Sequence, residues 1–258
     1  MVKTLCLGLL LWLQTALSAL AIGNPAEPQL IEKGFFTPDN WTVGVKLGYQ
    51  GDFVFDRKLR AFGGAKGRID HFKTTTNQGV LTLGYFNRLE IYGSFGAISA
   101  HFWNRPKSDG KRREFETHDH WTAGGGGRFL LAEWGNTGIG VDGKAQVGRP
   151  AVKWASVDGV AHASGAHVRY HEWQVSFAAY HTVDMFTPYI GVKYSSVHVD
   201  VEGISKSIYS RNHFKMHSRV KYGMALGCSV TPNKKIDLNV EVQLIDEQAI
   251  TIGGNLRF

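Results

Sequence analysis

Cysteine is scarce in this chain: Cys6 and Cys228 are the two in 258 residues. A scaffold stapled by several disulfides is therefore excluded. Catalytic motifs are missing too. There is no G-x-S-x-G nucleophile elbow and no H-E-x-x-H zinc helix. No cofactor or resident metal is expected. Beyond the first 20 residues no apolar run is long enough to cross a bilayer as a helix, which takes about 20 residues. Acidic residues are outnumbered, 22 against 29 basic, for a formal charge of +7. A basic balance can mark a nucleic-acid binder or an anionic surface. The densest basic run is Lys107-Ser108-Asp109-Gly110-Lys111-Arg112-Arg113. It sits in a glycine- and proline-containing stretch and reads as a solvated loop, so no nucleic-acid partner is expected.

What is present begins at the N-terminus. Lys3 precedes the apolar run Leu5 to Leu13, and Ala19-Leu20-Ala21 supplies a small-x-small site. That is the layout of a secretory signal peptide, with cleavage expected after Ala21. Residues 1–21 carry no Asp or Glu, so the charge of +7 less that of Lys3 leaves +6 on the exported chain. Cys6 leaves with the leader. Cys228 then has no partner within the chain and could at most form a single intermolecular disulfide. Residues 22–40, with Pro25, Pro28 and Pro38, read as an irregular N-terminal leader.

From Trp41 to Phe258 the hydrophobic period changes to two, the mark of a strand. Ile236, Leu238, Val240, Val242 and Leu244 alternate with Asp237, Asn239, Glu241 and Gln243. Residues 250–258, 219–230 and 43–50 repeat the pattern, and noisier versions run through 81–95, 121–131, 139–147, 172–179 and 190–194. About ten such segments result, between about eight and twelve, each near the length a tilted membrane strand needs. The apolar parity of 195–202 flips near Ser195-Ser196, which suggests a bulge or the strand's exit from a membrane.

Connections alternate in length. Asn87-Arg88, 133–136, 182–186 and 231–234 are short; 57–75, 102–119, 149–168 and 200–216 are long. A transmembrane barrel has short periplasmic turns and long outer loops. Asp246-Glu247-Gln248 is the exception, a short link that should face outward. The polar faces hold glycines and charges of both signs, as a narrow lumen requires. Trp41, Tyr85, Phe86, Trp121, Trp173 and Phe258 fall near strand ends, where interfacial girdles belong. The fold expected is all-β: an antiparallel transmembrane β-barrel occupying 41–258, in the bacterial outer membrane.

Several blocks point to a family. Gly23-Asn24-Pro25-Ala26-Glu27-Pro28 follows the leader, and Tyr49 to Arg57 the first strand. Then come Tyr170-His171-Glu172-Trp173-Gln174, Met185 to Lys193, Leu244-Ile245-Asp246-Glu247 and the final Arg257-Phe258. In order from end to end, these resemble the chlamydial major outer membrane protein family. The resemblance implies an outer-membrane barrel and porin activity. Members of that family are larger, cysteine-rich and cross-linked by disulfides. This chain is shorter, so its lumen should be narrower, and a disulfide-linked lattice does not carry over.

If the polar parity faces inward, the pore is lined by Lys46, Glu90, Arg128, Asp142, Lys144, Glu172, Lys193, Arg219, Lys221, Asp237, Glu241 and Arg257. The small basic excess suggests a slight anion preference. The expected function is passive diffusion of small hydrophilic solutes and ions, with a structural envelope role. Its partners would be outer-membrane lipid, small polar solutes and, as in many porins, further copies of the chain. Two alternatives stand beside it. One is a structural or adhesive barrel with a closed, salt-bridged lumen. The other is an outer-membrane hydrolase using His118-Asp119-His120 or His213 and His217; His118 and His120 also have metal-compatible spacing.

Overall fold

The computed structural model describes residues 21–30, 43–62, 66–162, 164–209, 212–232 and 235–258. The expected signal peptide up to residue 20, the leader beyond residue 30 and Trp41 lie outside the described residues. Among the described residues fifteen antiparallel strands carry the fold. They are β1 (Val43–Arg57), β2 (Leu59–Phe62), β3 (Gly67–Tyr85), β4 (Leu89–Pro106), β5 (Arg113–Thr117), β6 (His120–Trp134), β7 (Thr137–Gly148) and β8 (Val152–Val157). The rest are β9 (Val160–His162), β10 (His167–His181), β11 (Phe186–Glu202), β12 (His213–Ser218), β13 (Tyr222–Val230), β14 (Ile236–Leu244) and β15 (Glu247–Arg257).

Ten of them close a ring: β1, β3, β4, β6, β7, β10, β11, β13, β14, β15 and back to β1. The first and last strands pair over Lys46↔Arg257 to Arg57↔Glu247, so no edge is left in lipid. Strands form here because apolar residues alternate with polar ones. Val43, Val45, Leu47 and Tyr49 point out and are exposed, whereas Lys46 is buried inside. The exposed belt includes Leu81, Leu83, Ile91, Val192, Leu238 and Val240. An apolar exterior of that extent requires lipid as its solvent.

The short turns share one end of the ring with the start of β1 and the end of β15. Phe86 and Asn87 both have φ of 52°, which makes the β3–β4 turn the kind that matches strand twist. Tyr85, Phe86, Trp134 and Phe186 form an exposed aromatic girdle there. Toward the other end Trp173, Tyr194 and Tyr222 stack side by side across three strands, with centroids 5.4 and 5.3 Å apart. Trp173 is not at a strand end, because β10 begins six residues before it.

The outer connections differ from the long loops expected. Much of 57–75, 102–119, 149–168 and 200–216 is strand: β2, the extensions of β3 and β4, then β5, β8, β9 and β12. The reason lies in the inner face. Phe72, Phe102, Phe115, Phe214 and Met216 alternate with polar neighbours and point inward, burying themselves completely or nearly so. In the membrane zone the outside is apolar and the inside polar; above it the two exchange. β11 shows the exchange on one strand. Lys193 and Ser195 face a polar interior, and Val197, Val199 and Val201 continue the same face into an apolar core. The register with β10 is unbroken, so the change near Ser195 is the strand's exit from the membrane and not a bulge.

The short β14–β15 link does face outward. Ile245, at φ 85°, turns the chain so that Asp246 enters the barrel. Above this low hairpin the wall is completed by β2 pairing with β12. Lys58 ties the two levels, its backbone N–H donating to Asp246 O at 3.1 Å. The 107–112 stretch is an exposed turn, but Arg113 is buried, held by Asp109 at 2.5 Å and donating to Ile208 O at 2.7 Å.

Candidate functional site

The lumen is lined in tiers, and its centre is occupied. Residues 21–30 run inside the ring, ending in a single helical turn, α1 (Glu27–Leu30). Ala21, Ile22, Asn24 and Ala26 are buried there. Gly23 adopts the left-handed φ of 75°, and a Cβ on it would lie 2.3 Å from Arg128 Nη2. Glycine meets both conditions without strain.

The tier nearest the short turns is ionic. Lys46 pairs with Glu90 and donates to Glu27 O at 2.6 Å. Arg128 pairs with Glu27, with Glu90 at 3.3 Å and with Asp142 at 3.4 Å. Lys144 stands 3.8 Å from Asp142, and Tyr92 donates to the same carboxylate at 2.8 Å. Gly126 allows this approach, since a Cβ there would be 2.6 Å from the Tyr92 hydroxyl. Part of the wall's charge is therefore balanced by Glu27, which does not belong to the wall.

The middle tier is built on hydrogen bonds. Glu241 accepts from the backbone N–H of Ile22 at 2.6 Å and of Gly23 at 2.9 Å. Tyr189 and Gln243 donate to it at 2.8 and 2.9 Å. Gln174 donates to Ala21 O at 3.2 Å, and Asn24 to Thr187 O at 3.3 Å. Asp52 accepts from Gln50 at 2.7 Å and Thr251 at 3.0 Å.

The third tier is ionic again. Arg57 donates to Glu172 at 2.5 Å and lies 3.1 Å from Glu247. Lys193 pairs with Glu247 and, at 3.2 Å, with Asp246. Above it the lumen is closed by the apolar core. Ile204, Ile208 and Tyr209, from the β11–β12 connection, fold into that core. The Arg113 guanidinium stands 4.3 Å over the Tyr209 ring. Burial pushes the Tyr209 hydroxyl well above its ordinary value, and the hydrogen bond from Arg113 holds Asp109 down at about 2.

Of the residues expected to line the pore, Lys46, Glu90, Arg128, Asp142, Lys144, Glu172, Lys193, Asp237, Glu241 and Arg257 lie inside. Arg219 and Lys221 do not. β13 begins only at Tyr222, so both belong to the preceding connection and are exposed; Lys221 stands over the outward-facing Tyr194 ring. Sequence reasoning missed Arg57, because a register shift between Val54 and Asp56 turns it inward against the period. It also missed Asp52, although Asp52 shares the parity of Lys46. With these and Asp246 and Glu247 added, carboxylates outnumber cations on the inner wall, and the expected basic excess is reversed.

The histidines are not assembled into a site. His118 is exposed between β5 and β6, His213 faces Glu202, and His217 stacks edge-on against His198 at 4.5 Å. Among the described residues no group of three metal-binding side chains occurs. Cys228 is half-buried on the lipid-facing side, between Pro188 and Val240.

Comparison with known proteins agrees with this architecture. Residues 142–207 match the Chlamydia major outer membrane protein family. The major outer membrane porin, serovar F, of Chlamydia trachomatis is 23% identical over 378 aligned positions, covering 95% of this chain and 96% of that protein. The major outer membrane porin of Chlamydia muridarum is also 23% identical, with the same two shares covered. Since the alignments exceed 258 positions, the relatives' extra length enters as insertions within the matched region. Among solved structures, an outer membrane channel of Pseudomonas putida F1 is similar at a TM-score of 0.42 and 11% identity, covering 88% of this chain and 100% of that one; so loose a likeness carries no weight for function. The chain is thus similar to the chlamydial major outer membrane porins across its whole length, and with the closed ten-strand ring it is a barrel of the bacterial outer membrane.

Proposed function

We propose that the chain is a porin-like barrel through which small hydrophilic solutes and ions diffuse passively, with a structural envelope role. The observation that carries this reading is the removable partner of the inner wall. Arg128 and Lys46 bind Glu27 of a segment that threads the lumen without belonging to the barrel. Withdrawal of that segment uncovers the lower lumen, lined by charges and amides, which water can wet. The third tier and the Ile204–Tyr209 stretch must also give way for conduction. The wall's carboxylate excess favours cations once the passage opens, in place of the anion preference expected from Arg219 and Lys221. Purified protein in planar bilayers tests the reading: discrete conductance steps support it, and their absence under all voltages and salts rules it out.

A second reading is favoured by one observation. The outer half of the barrel is filled by a buried apolar core around Phe102 and Phe115, which suits a closed structural or adhesive component. A barrel lacking residues 22–30 that still fails to conduct would select it. On either reading outer-membrane lipid is the partner of the apolar belt. Cross-linking through Cys228 would have to occur on the lipid-facing side of β13; self-association would instead pack belt against belt.

A further inference from the structure

Glu241 is a fully buried carboxylate in the middle of the lumen. Its described partners are neutral donors: the Tyr189 hydroxyl, the Gln243 amide and two backbone N–H groups. Isolating an anion from water without an opposite charge is costly. The shortest of its contacts is to the backbone nitrogen of Ile22, at 2.6 Å. That nitrogen immediately follows Ala19-Leu20-Ala21, the small-x-small site that ends the apolar leader. Hydrolysis of the Ala21–Ile22 bond by an envelope signal peptidase consumes one water. It leaves a carboxylate on Ala21 and an α-ammonium on Ile22.

We infer that the exported chain begins at Ile22 and that its α-ammonium forms an ion pair with Glu241, locking residues 22–30 inside the barrel. The surroundings suit a charged terminus fixed in place. The Ile22 side chain is 1% exposed and packs with Ala178 and Ala225. Gly23 bends the chain at φ 75° beside Arg128, and Asn24 donates to Thr187 O. In this arrangement processing does more than remove the leader. It creates the cation that the buried carboxylate lacks, and a charge-assisted bond replaces a neutral one. A chain cut one residue earlier or later would place its ammonium out of register with Glu241.

The test needs no conductance, so it stands or falls independently of the pore reading. Protein isolated from outer membranes is sequenced from its N-terminus; Ile22 is expected as the first residue, and any other start overturns the inference. The folded protein in detergent is then treated with an amine-acylating reagent near neutral pH, and N-terminal modification is followed by mass spectrometry. The α-amine should react about tenfold or more slowly than in the unfolded chain, as a charge-assisted buried contact implies. E241Q should restore fast reaction, and so should a chain with one methionine inserted before Ile22 and Glu241 intact. Folding of each variant is checked by heat-modifiable gel mobility. If E241Q does not fold, the extended chain decides. An amine that reacts at the unfolded rate in the unaltered protein overturns the inference, as does one that stays protected in either variant.

Discussion

Arg57 donates to Glu172 at 2.5 Å across 115 residues of sequence, and both side chains are almost fully buried. The pair marks the level at which the polar lumen ends. Tyr170, two residues earlier in β10, bonds to Glu172 with its hydroxyl and packs its ring into the apolar core. Removing the guanidinium would leave Glu172 and Glu247 without their counter-charge. Breaking a buried pair from one side costs about 3–5 kcal/mol. Arg57→Ala should lose stability of that order in denaturant unfolding from micelles, whereas the double variant Arg57→Met with Glu172→Gln should lose less. Equal losses would contradict an ion pair at this position.

The outer core should behave like the interior of a soluble protein. Phe102 is fully buried and stacks on Phe115 at 5.0 Å. Phe102→Ala should cost about 3–5 kcal/mol by leaving a cavity. Because the core lies above the membrane zone, the loss should appear first as protease cutting within 107–119 on intact cells, while the spanning strands keep their heat-modifiable mobility. Simultaneous loss of both would show that the two halves are a single cooperative unit.

The lipid-facing belt makes the opposite demand. Val240 is 50% exposed in the middle of β14. Val240→Arg should destabilise the barrel by about 2–4 kcal/mol, as expected for a cation near the bilayer midplane. At the neighbouring inward position the same charge has polar company, so Asn239→Arg should cost less in the same folding assay.

Much of this was legible in the sequence, and the gaps have physical causes. The ten spanning segments showed because membrane strands have two unlike faces, as in Ile236 to Leu244. Their outer continuations did not show, because Phe72, Phe102 and Val197 sit on the inward parity, which the membrane rule assigns to polar residues. Arg57 was hidden by a register shift, and Arg219 and Lys221 were misplaced by extending β13 beyond its start. The Gly23 to Pro28 block has no periodic pattern, and it runs into the helical turn Glu27–Leu30; that it fills the lumen depends on Glu241 and Arg128, which lie far away in sequence.

His217 and Asp109 both titrate outside the membrane zone. Burial and the neighbouring His198 lower the pKa of His217 from its ordinary 6.5. The folded state therefore prefers neutral His217, and its contribution is complete above 6.5 and shrinks as pH falls below it. Asp109 is held at about 2 against an ordinary 3.8, so its contribution persists above 3.8 and is lost as pH drops toward 2. Hydrogen exchange of β12, corrected for intrinsic rates, should quicken between about pH 7.5 and 5.5. In His217→Phe that step should vanish. The Asp109–Arg113 contact should survive throughout that range.

The central claim is that a polar passage exists beneath the N-terminal segment. Single-channel recording in planar bilayers, comparing the exported protein with a barrel lacking residues 22–30, tests it most directly. The account predicts small or rare steps for the intact chain, larger and more frequent steps after deletion, and cation selectivity in a salt gradient. A correctly folded deletion barrel that passes no current would contradict it.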